Sequence, residues 1–227
     1  MIIKGLVFDF DGLILDTEYP EFETWQAIYK EHGGNLDVHD YAVCLGTYNS
    51  PFDPIRNLQE QISASLDGAA IREQFRIRAL EHINRQTALP GVHAILQQAH
   101  DLHLGTALAS SSDRRWVVGH LDRLGLTEEF EYIFTREDVH LAKPDPELFL
   151  MAIQALGIQP NEAIAFEDSP NGIAAAKAAG MFCVAIPNRL TAQLDTSLAD
   201  LHLHHLDELT LPQLEQHIID LRNLQSQ

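Results

Sequence analysis

Residues 6–18 read LVFDFDGLILDTE. Asp9 and Asp11 stand two residues apart at the end of an apolar run, and Gly12 follows them. Side chains at i and i+2 of an extended chain point to the same side. Burying an unpaired carboxylate costs several kcal/mol, so two acids side by side need a cation, a shared proton or a metal-bound phosphate nearby. A parallel strand that ends in a ligand crevice resolves the conflict, because both acids then face the crevice and not the core.

Working outward, residues 2–10 predict a strand buried on both faces, and four runs resemble it: 104–110, 131–135, 163–168 and 182–186. Amphipathic segments separate them. Val92, Ile95, Leu96, Ala99 and Leu102 fall at helical spacing in 91–103, as do Phe149, Ala152, Ile153 and Leu156 in 146–157, before Gly157 as a C-cap. Residues 169–180 predict a third helix, with Ser169 or Asn171 as its cap and Gly180 as its stop. Alternating strands and helices predict an α/β fold, a Rossmann-like parallel sheet with helices on both faces. Residues 16–86 break that pattern. They hold no convincing strand and predict helices near 20–32, 54–66 and 69–85. The expectation is an all-α helical cap domain, 16–86, inserted after the first strand of a core made of 1–15 and 87–227. The tail predicts a sheet edge over "LHLHHLDEL" and a closing helix at 211–223.

Composition narrows the partners. Fifteen basic against 33 acidic residues give a net charge of -18, a field that repels nucleic acid and anionic membrane. Phosphate chemistry in such a chain needs a locally positive site. No apolar run approaches the ~18 residues of a membrane span, and residues 1–20 lack the pattern of a signal peptide. A cytoplasmic location is expected, and Cys44 and Cys183 read as free thiols. No segment signals an obligate interface, so a monomer is expected.

The remaining strand ends supply what the acid pair lacks. "ALASSSD" closes the second run with Ser110 and Ser111, hydroxyls suited to a phosphoryl oxygen. "AKPDPE" sets Lys143 just before a Pro-started helix, where a fixed positive charge offsets the acids. "AFEDSPNG" ends another strand with Glu167 and Asp168, carboxylates of the kind that hold Mg2+ beside substrate phosphate. One carboxylate attacking phosphorus while its neighbour gives and then takes a proton would suit the pair.

In this order, DFDGLILDTE, ALASSS, KPDPE and FEDSPNG resemble the four motifs of the haloacid dehalogenase superfamily, nearest to its phosphatase and β-phosphoglucomutase-like branch with a helical cap. The resemblance covers the core almost end to end. It implies Asp9 as nucleophile, Asp11 as general acid/base, Ser110 and Lys143 as the phosphoryl grip, and Mg2+ held by Asp9, Asp168, Glu167 and the backbone carbonyl of Asp11. The substrate implied is a small phosphorylated metabolite, acted on by a phosphatase or, alternatively, by a sugar-phosphate mutase. True dehalogenases of the superfamily lack the second aspartate, so Asp11 argues against dehalogenation. The β-phosphoglucomutases use a cap histidine and a cap arginine; here Glu21 aligns with the histidine, and the loop CLGTYNSPFD (44–53) has no arginine before Arg56. Those departures favour hydrolysis over the mutase alternative.

Each residue also has a plainer reading. Asp11-Gly12 alone suits a turn, SSSD suits a helix N-cap, and Glu167 favours the positive end of the next helix. Arg114 and Arg115 oppose a helix dipole, which leaves two readings open: a grip on a substrate anion, or an exposed pair bridged to nearby acids. His202, His204 and His205 read as surface histidines at a sheet edge, and Phe22, Trp25 and Tyr29 as helix packing.

Overall fold

A computed structural model of the chain describes residues 2–42, 45 and 52–225. Cys44 and most of the 44–53 loop lie outside them. Among the described residues, six parallel strands form one sheet: β1 (Gly5–Phe8), β2 (Gly105–Ala109), β3 (Tyr132–Phe134), β4 (Ala163–Glu167), β5 (Phe182–Ala185) and β6 (Leu201–His202). Their spatial order is β3-β2-β1-β4-β5-β6. The chain winds outward from β1 in one direction through β3, then crosses to β4 and winds the other way. That reversal opens a crevice at the carboxyl ends of β1 and β4, the place where open α/β sheets bind ligands.

Nine α-helices accompany the strands among the described residues: α1 (Glu18–Glu31), α2 (Val38–Ala42), α3 (Pro54–Ile62), α4 (Gly68–Ile83), α5 (Val92–Asp101), α6 (Arg114–Leu124), α7 (Glu147–Ala155), α8 (Pro170–Ala178) and α9 (Leu211–Gln225). Alternation along β1 divides the core. Leu6 and Phe8 join the layer formed with α5, α6 and α9, while Val7 joins the layer of α7 and α8. Phe8 stacks on Phe166 at 5.0 Å and meets Phe130 edge-on at 5.8 Å. Each such ring contributes about 2 kcal/mol by leaving water.

Helices α1 to α4 enclose a third apolar cluster around Phe22, Trp25, Tyr29 and Leu58. Trp25 stacks on Phe75 at 4.4 Å, which ties α1 to α4. The aromatic residues of α1 are therefore packing. Ala79 and Ile83, near the end of α4, instead join the β-sheet core and anchor the helical insert there. No described helix is long and apolar enough to cross a membrane.

Several expected boundaries move. The first strand spans 5–8 and not 2–10, because Phe10 turns its carbonyl to the N–H groups of Leu13, Ile14 and Leu15 and leaves the ladder. The short α2 was not expected; five residues with His39 and Asp40 carry no apolar period. The helix after Lys143 begins at Glu147 with Pro146 at its N-cap, so Lys143 sits on the preceding turn. Ser169, and not Asn171, caps α8 by accepting the Gly172 N–H. The cap of α6 is Asp113, which leaves Ser110 and Ser111 outside that role.

Candidate active site

The expected residues Asp9, Asp11, Ser110, Ser111, Lys143 and Asp168 meet in one cavity of about 520 Å³, with Glu167 directly beneath. Helix α1 and the chain after it add Glu18, Glu21, Tyr41 and Leu45 to the walls.

β1 delivers Asp9, and the turn after it delivers Asp11. Gly12 makes that turn at φ +81°; a Cβ there would lie 2.4 Å from Asp168 Oδ2 and 2.5 Å from Asn188 Nδ2. Only glycine fits both the backbone and the space. Lys143 is buried and donates to Asp9 Oδ1 at 2.5 Å and to Glu167 Oε1 at 2.6 Å. Its ammonium also lies 4.8 Å from the centre of the Phe149 ring. The second oxygen of Glu167 accepts from the N–H groups of Asp168 and Ser169 and from the Ser169 hydroxyl. Gly172 permits this, since a Cβ at that position would fall 1.7 Å from Glu167 Oε1. Glu167 thus fixes Lys143 on one side and the start of α8 on the other.

The site is short of positive charge. Asp9, Asp11, Glu18, Glu167 and Asp168 gather about one lysine. Burial, with Glu167 and Asp11 adding and Lys143 opposing, pushes the Asp9 carboxyl up to about 8. Burial, with Glu18, Glu167 and Asp9 adding, holds Asp168 well above the usual carboxylate range. Burial also raises Glu18, with Asp11 and Asp9 adding and Asn188 opposing. For Lys143, burial favours the neutral amine, but Asp9 and Glu167 outweigh it and raise its pKa. Oxygens of Asp9, Glu167 and Asp168 lie within 4.8 Å of one another. Among the described residues, Asp9 Oδ2 and Asp168 Oδ1 have no protein hydrogen-bond donor, while both Glu167 oxygens do. An all-oxygen set with excess negative charge suits a hard divalent cation such as Mg2+.

Ser110 is buried, and its Oγ accepts the Ser112 N–H at 3.0 Å. The Ser111 hydroxyl is buried without a hydrogen-bond partner on the cavity wall. A buried hydroxyl left unpaired is costly, and a phosphoryl oxygen would satisfy it.

Asp11 is held by three donors that were not among the expected site residues, although Thr17 and Ser112 stand inside the quoted motifs. Thr17 Oγ1 donates to its Oδ1 at 2.8 Å, Trp116 Nε1 to the same oxygen at 2.9 Å, and Ser112 Oγ to its Oδ2 at 2.6 Å. Asn188 is another addition: its amide donates to Asp168 at 2.7 Å and to Glu18 at 2.9 Å, linking core to helical insert. It stands just past the end of β5, so attention to every strand end would have found it. Trp116 left no such signal. On the far wall, Glu21 has Tyr41 at 3.5 Å, and burial, with Asp11 adding, pushes it up to about 7.

Other candidates fall away from the site. Arg114 donates to the Ile133 carbonyl and bridges Asp138 at 3.4 Å, which favours the structural reading of that arginine. Arg115 lines a second cavity, of about 470 Å³, between α4 and α6. Arg56 is exposed and paired with Glu60. His202 lies on the edge strand β6, where its ring contacts Thr196. Cys183 is buried as a free thiol.

Known proteins resemble this chain over most of its length. The sequence model of the haloacid dehalogenase-like hydrolase family matches residues 6–186. A Bacillus subtilis (strain 168) protein, YhcW, named as a phosphatase without a stated substrate, is 45% identical over 96% of this chain and 98% of its own. The fructose-1-phosphate phosphatase YqaB of Escherichia coli K12 is 32% identical over 79% of this chain and 94% of its own. A crystal structure of a hydrolase of the same family from Deinococcus radiodurans, with bound phosphate and sodium, superposes with a TM-score of 0.77 at 26% identity, covering 95% of this chain and 97% of that one.

Proposed function

We propose that this chain, which belongs to the haloacid dehalogenase-like hydrolases, is a Mg2+-dependent phosphatase that hydrolyses a small phosphorylated metabolite, a sugar phosphate or similar monoester, through an aspartyl-phosphate. The observation that carries the reading is Lys143, buried between Asp9 and Glu167 on a cavity floor shared with Asp11 and the Ser110–Ser111 hydroxyls.

An Asp9 oxygen attacks phosphorus, and the bond to the leaving oxygen breaks as the new one forms. Asp11 gives its proton to the departing alkoxide. It then takes a proton from water, which attacks the phosphorus of the aspartyl-phosphate and releases phosphate and Asp9. Ser110, Ser111 and Lys143 hold the phosphoryl oxygens, and Lys143 offsets charge in a buried setting where it counts most. Asp9, Asp168 and the Asp11 carbonyl would hold Mg2+, with Glu167 as a further ligand if Lys143 yields an oxygen. The ion would supply positive charge for the phosphoryl oxygens. Residues 16–86 act as the cap that covers the leaving group, and residues 1–15 with 87–227 form the catalytic core.

A mutase needs a grip for a second phosphate. Glu18 and Glu21 occupy the cap side of the cavity, and Arg136, its cation besides Lys143, donates to the Val139 carbonyl. Carboxylates facing the leaving group disfavour another anion there. The test is 31P NMR of the protein with Mg2+ and a panel of phosphorylated metabolites that includes fructose 1-phosphate and β-glucose 1-phosphate. Free phosphate is the expected product. Phosphate moving between sugar carbons without release would overturn the assignment.

A further inference from the structure

We infer that Trp116 is a positioning residue for the proton that Asp11 delivers, an inference that rests on Asp11 being the general acid. Its indole Nε1–H donates to Asp11 Oδ1 at 2.9 Å, across 105 residues of sequence. The ring is fixed from two directions. Its backbone N–H is capped by Asp113 Oδ1 at 2.8 Å at the start of α6. His120, one turn further along that helix, meets the ring edge-on at 4.4 Å and itself stacks against Phe10 in the turn between the two acids.

The chemistry of the donor matters. An indole N–H donates and never accepts, whereas a hydroxyl does either. Thr17 and Ser112 can therefore rotate as Asp11 changes protonation, but Trp116 cannot. With Trp116 beside it, Oδ1 remains an acceptor in both states, and the proton is carried on Oδ2. That oxygen has Ser112 as its partner, a hydroxyl able to turn from donor to acceptor. The carboxyl group is thus kept in one orientation, with its labile proton on a defined oxygen. Neither the acid pair nor the serine motif requires a tryptophan.

The test is the dependence of the rate on the leaving group. A sugar alkoxide needs the acid as it departs, and p-nitrophenolate hardly does. kcat/KM is the right quantity, because breakdown of the aspartyl-phosphate is common to all esters. Trp116→Phe, which keeps the ring and removes the N–H, is expected to lower the ratio of kcat/KM for fructose 1-phosphate, or whichever sugar phosphate the panel selects, to kcat/KM for p-nitrophenyl phosphate by about tenfold. Turnover of p-nitrophenyl phosphate also reports that the variant has folded. Asp11→Asn serves as the reference and should lower the same ratio further. A Trp116→Phe variant that loses activity equally on both esters, or on neither, would overturn the inference and leave the indole a packing role. If Asp11→Asn itself left the ratio unchanged, the assignment of Asp11 as acid would fail, and this inference with it.

Discussion

The two walls of the cavity are built differently. On the core side, Lys143, Asp9, Glu167, Asp168 and Ser169 are buried, and hydrogen bonds link them from the ends of β1 and β4 and the turn before α7. On the helical side, Glu18 reaches Asn188, and Glu21 has Tyr41 at the 3.5 Å limit of a hydrogen bond. One wall is organised before a ligand arrives; the other leaves Glu21 weakly held. A preorganised floor suits phosphoryl transfer, which depends on positioned charge. A looser wall suits a surface that must open, close and discriminate.

Breaking the core wall should have the largest effects. Asp9→Asn removes the nucleophile and is expected to lower kcat on the order of 10⁴-fold or more, with the melting temperature maintained. Steady-state kinetics with thermal melting checks both parts. Lys143→Met leaves Asp9 and Glu167 buried without their cation. Removing one partner of a buried pair costs about 3 kcal/mol or more, so Tm should fall by roughly 6–12 °C. Millimolar Mg2+ should recover part of that loss, which calorimetry with and without chelator measures. Gly172→Ala forces a methyl group into Glu167 and should cost about 2 kcal/mol. Turnover should fall as well, because Glu167 holds Lys143.

The helical wall should respond in the opposite direction. Glu21 titrates near 7 in the folded chain against an ordinary 4.5, owing to burial and Asp11. The folded chain binds that proton more tightly than the unfolded chain does. Stability linked to it is complete below about 4.5 and is lost as pH rises through 7. Glu21→Gln should therefore stabilise the metal-free protein at pH 8 by about 1–2 kcal/mol, allowing for partial exposure, or ~3–6 °C in Tm. At pH 4.5 the variant and the parent should melt together. A gain equal at both pH values would place the cost of Glu21 in its packing and not in its charge.

The same contrast describes how legible the molecule was in its sequence. Strands at the sheet centre announced themselves as apolar runs, because burial on both faces imposes that pattern. The residues at their carboxyl ends followed from topology: Asp9, Ser110, Glu167 and Asp168 each close or follow a strand. Boundaries were less legible, since Phe10 leaves the ladder through hydrogen bonds that hydrophobicity does not encode. The short α2 was invisible for a similar reason. Partners set by three-dimensional approach were hidden altogether. Trp116 reaches Asp11, and Gly172 makes room for Glu167, through contacts with no period or spacing to betray them.

The central claim is that phosphate passes through Asp9. Its most direct test is rapid quenching of the protein during turnover with Mg2+ and substrate, followed by borohydride reduction and peptide mass spectrometry. An acyl phosphate on Asp9 would be reduced to homoserine at position 9, and that product is expected. Reduction at another carboxylate, or phosphate release in a full time course with position 9 unmodified throughout, would contradict the account.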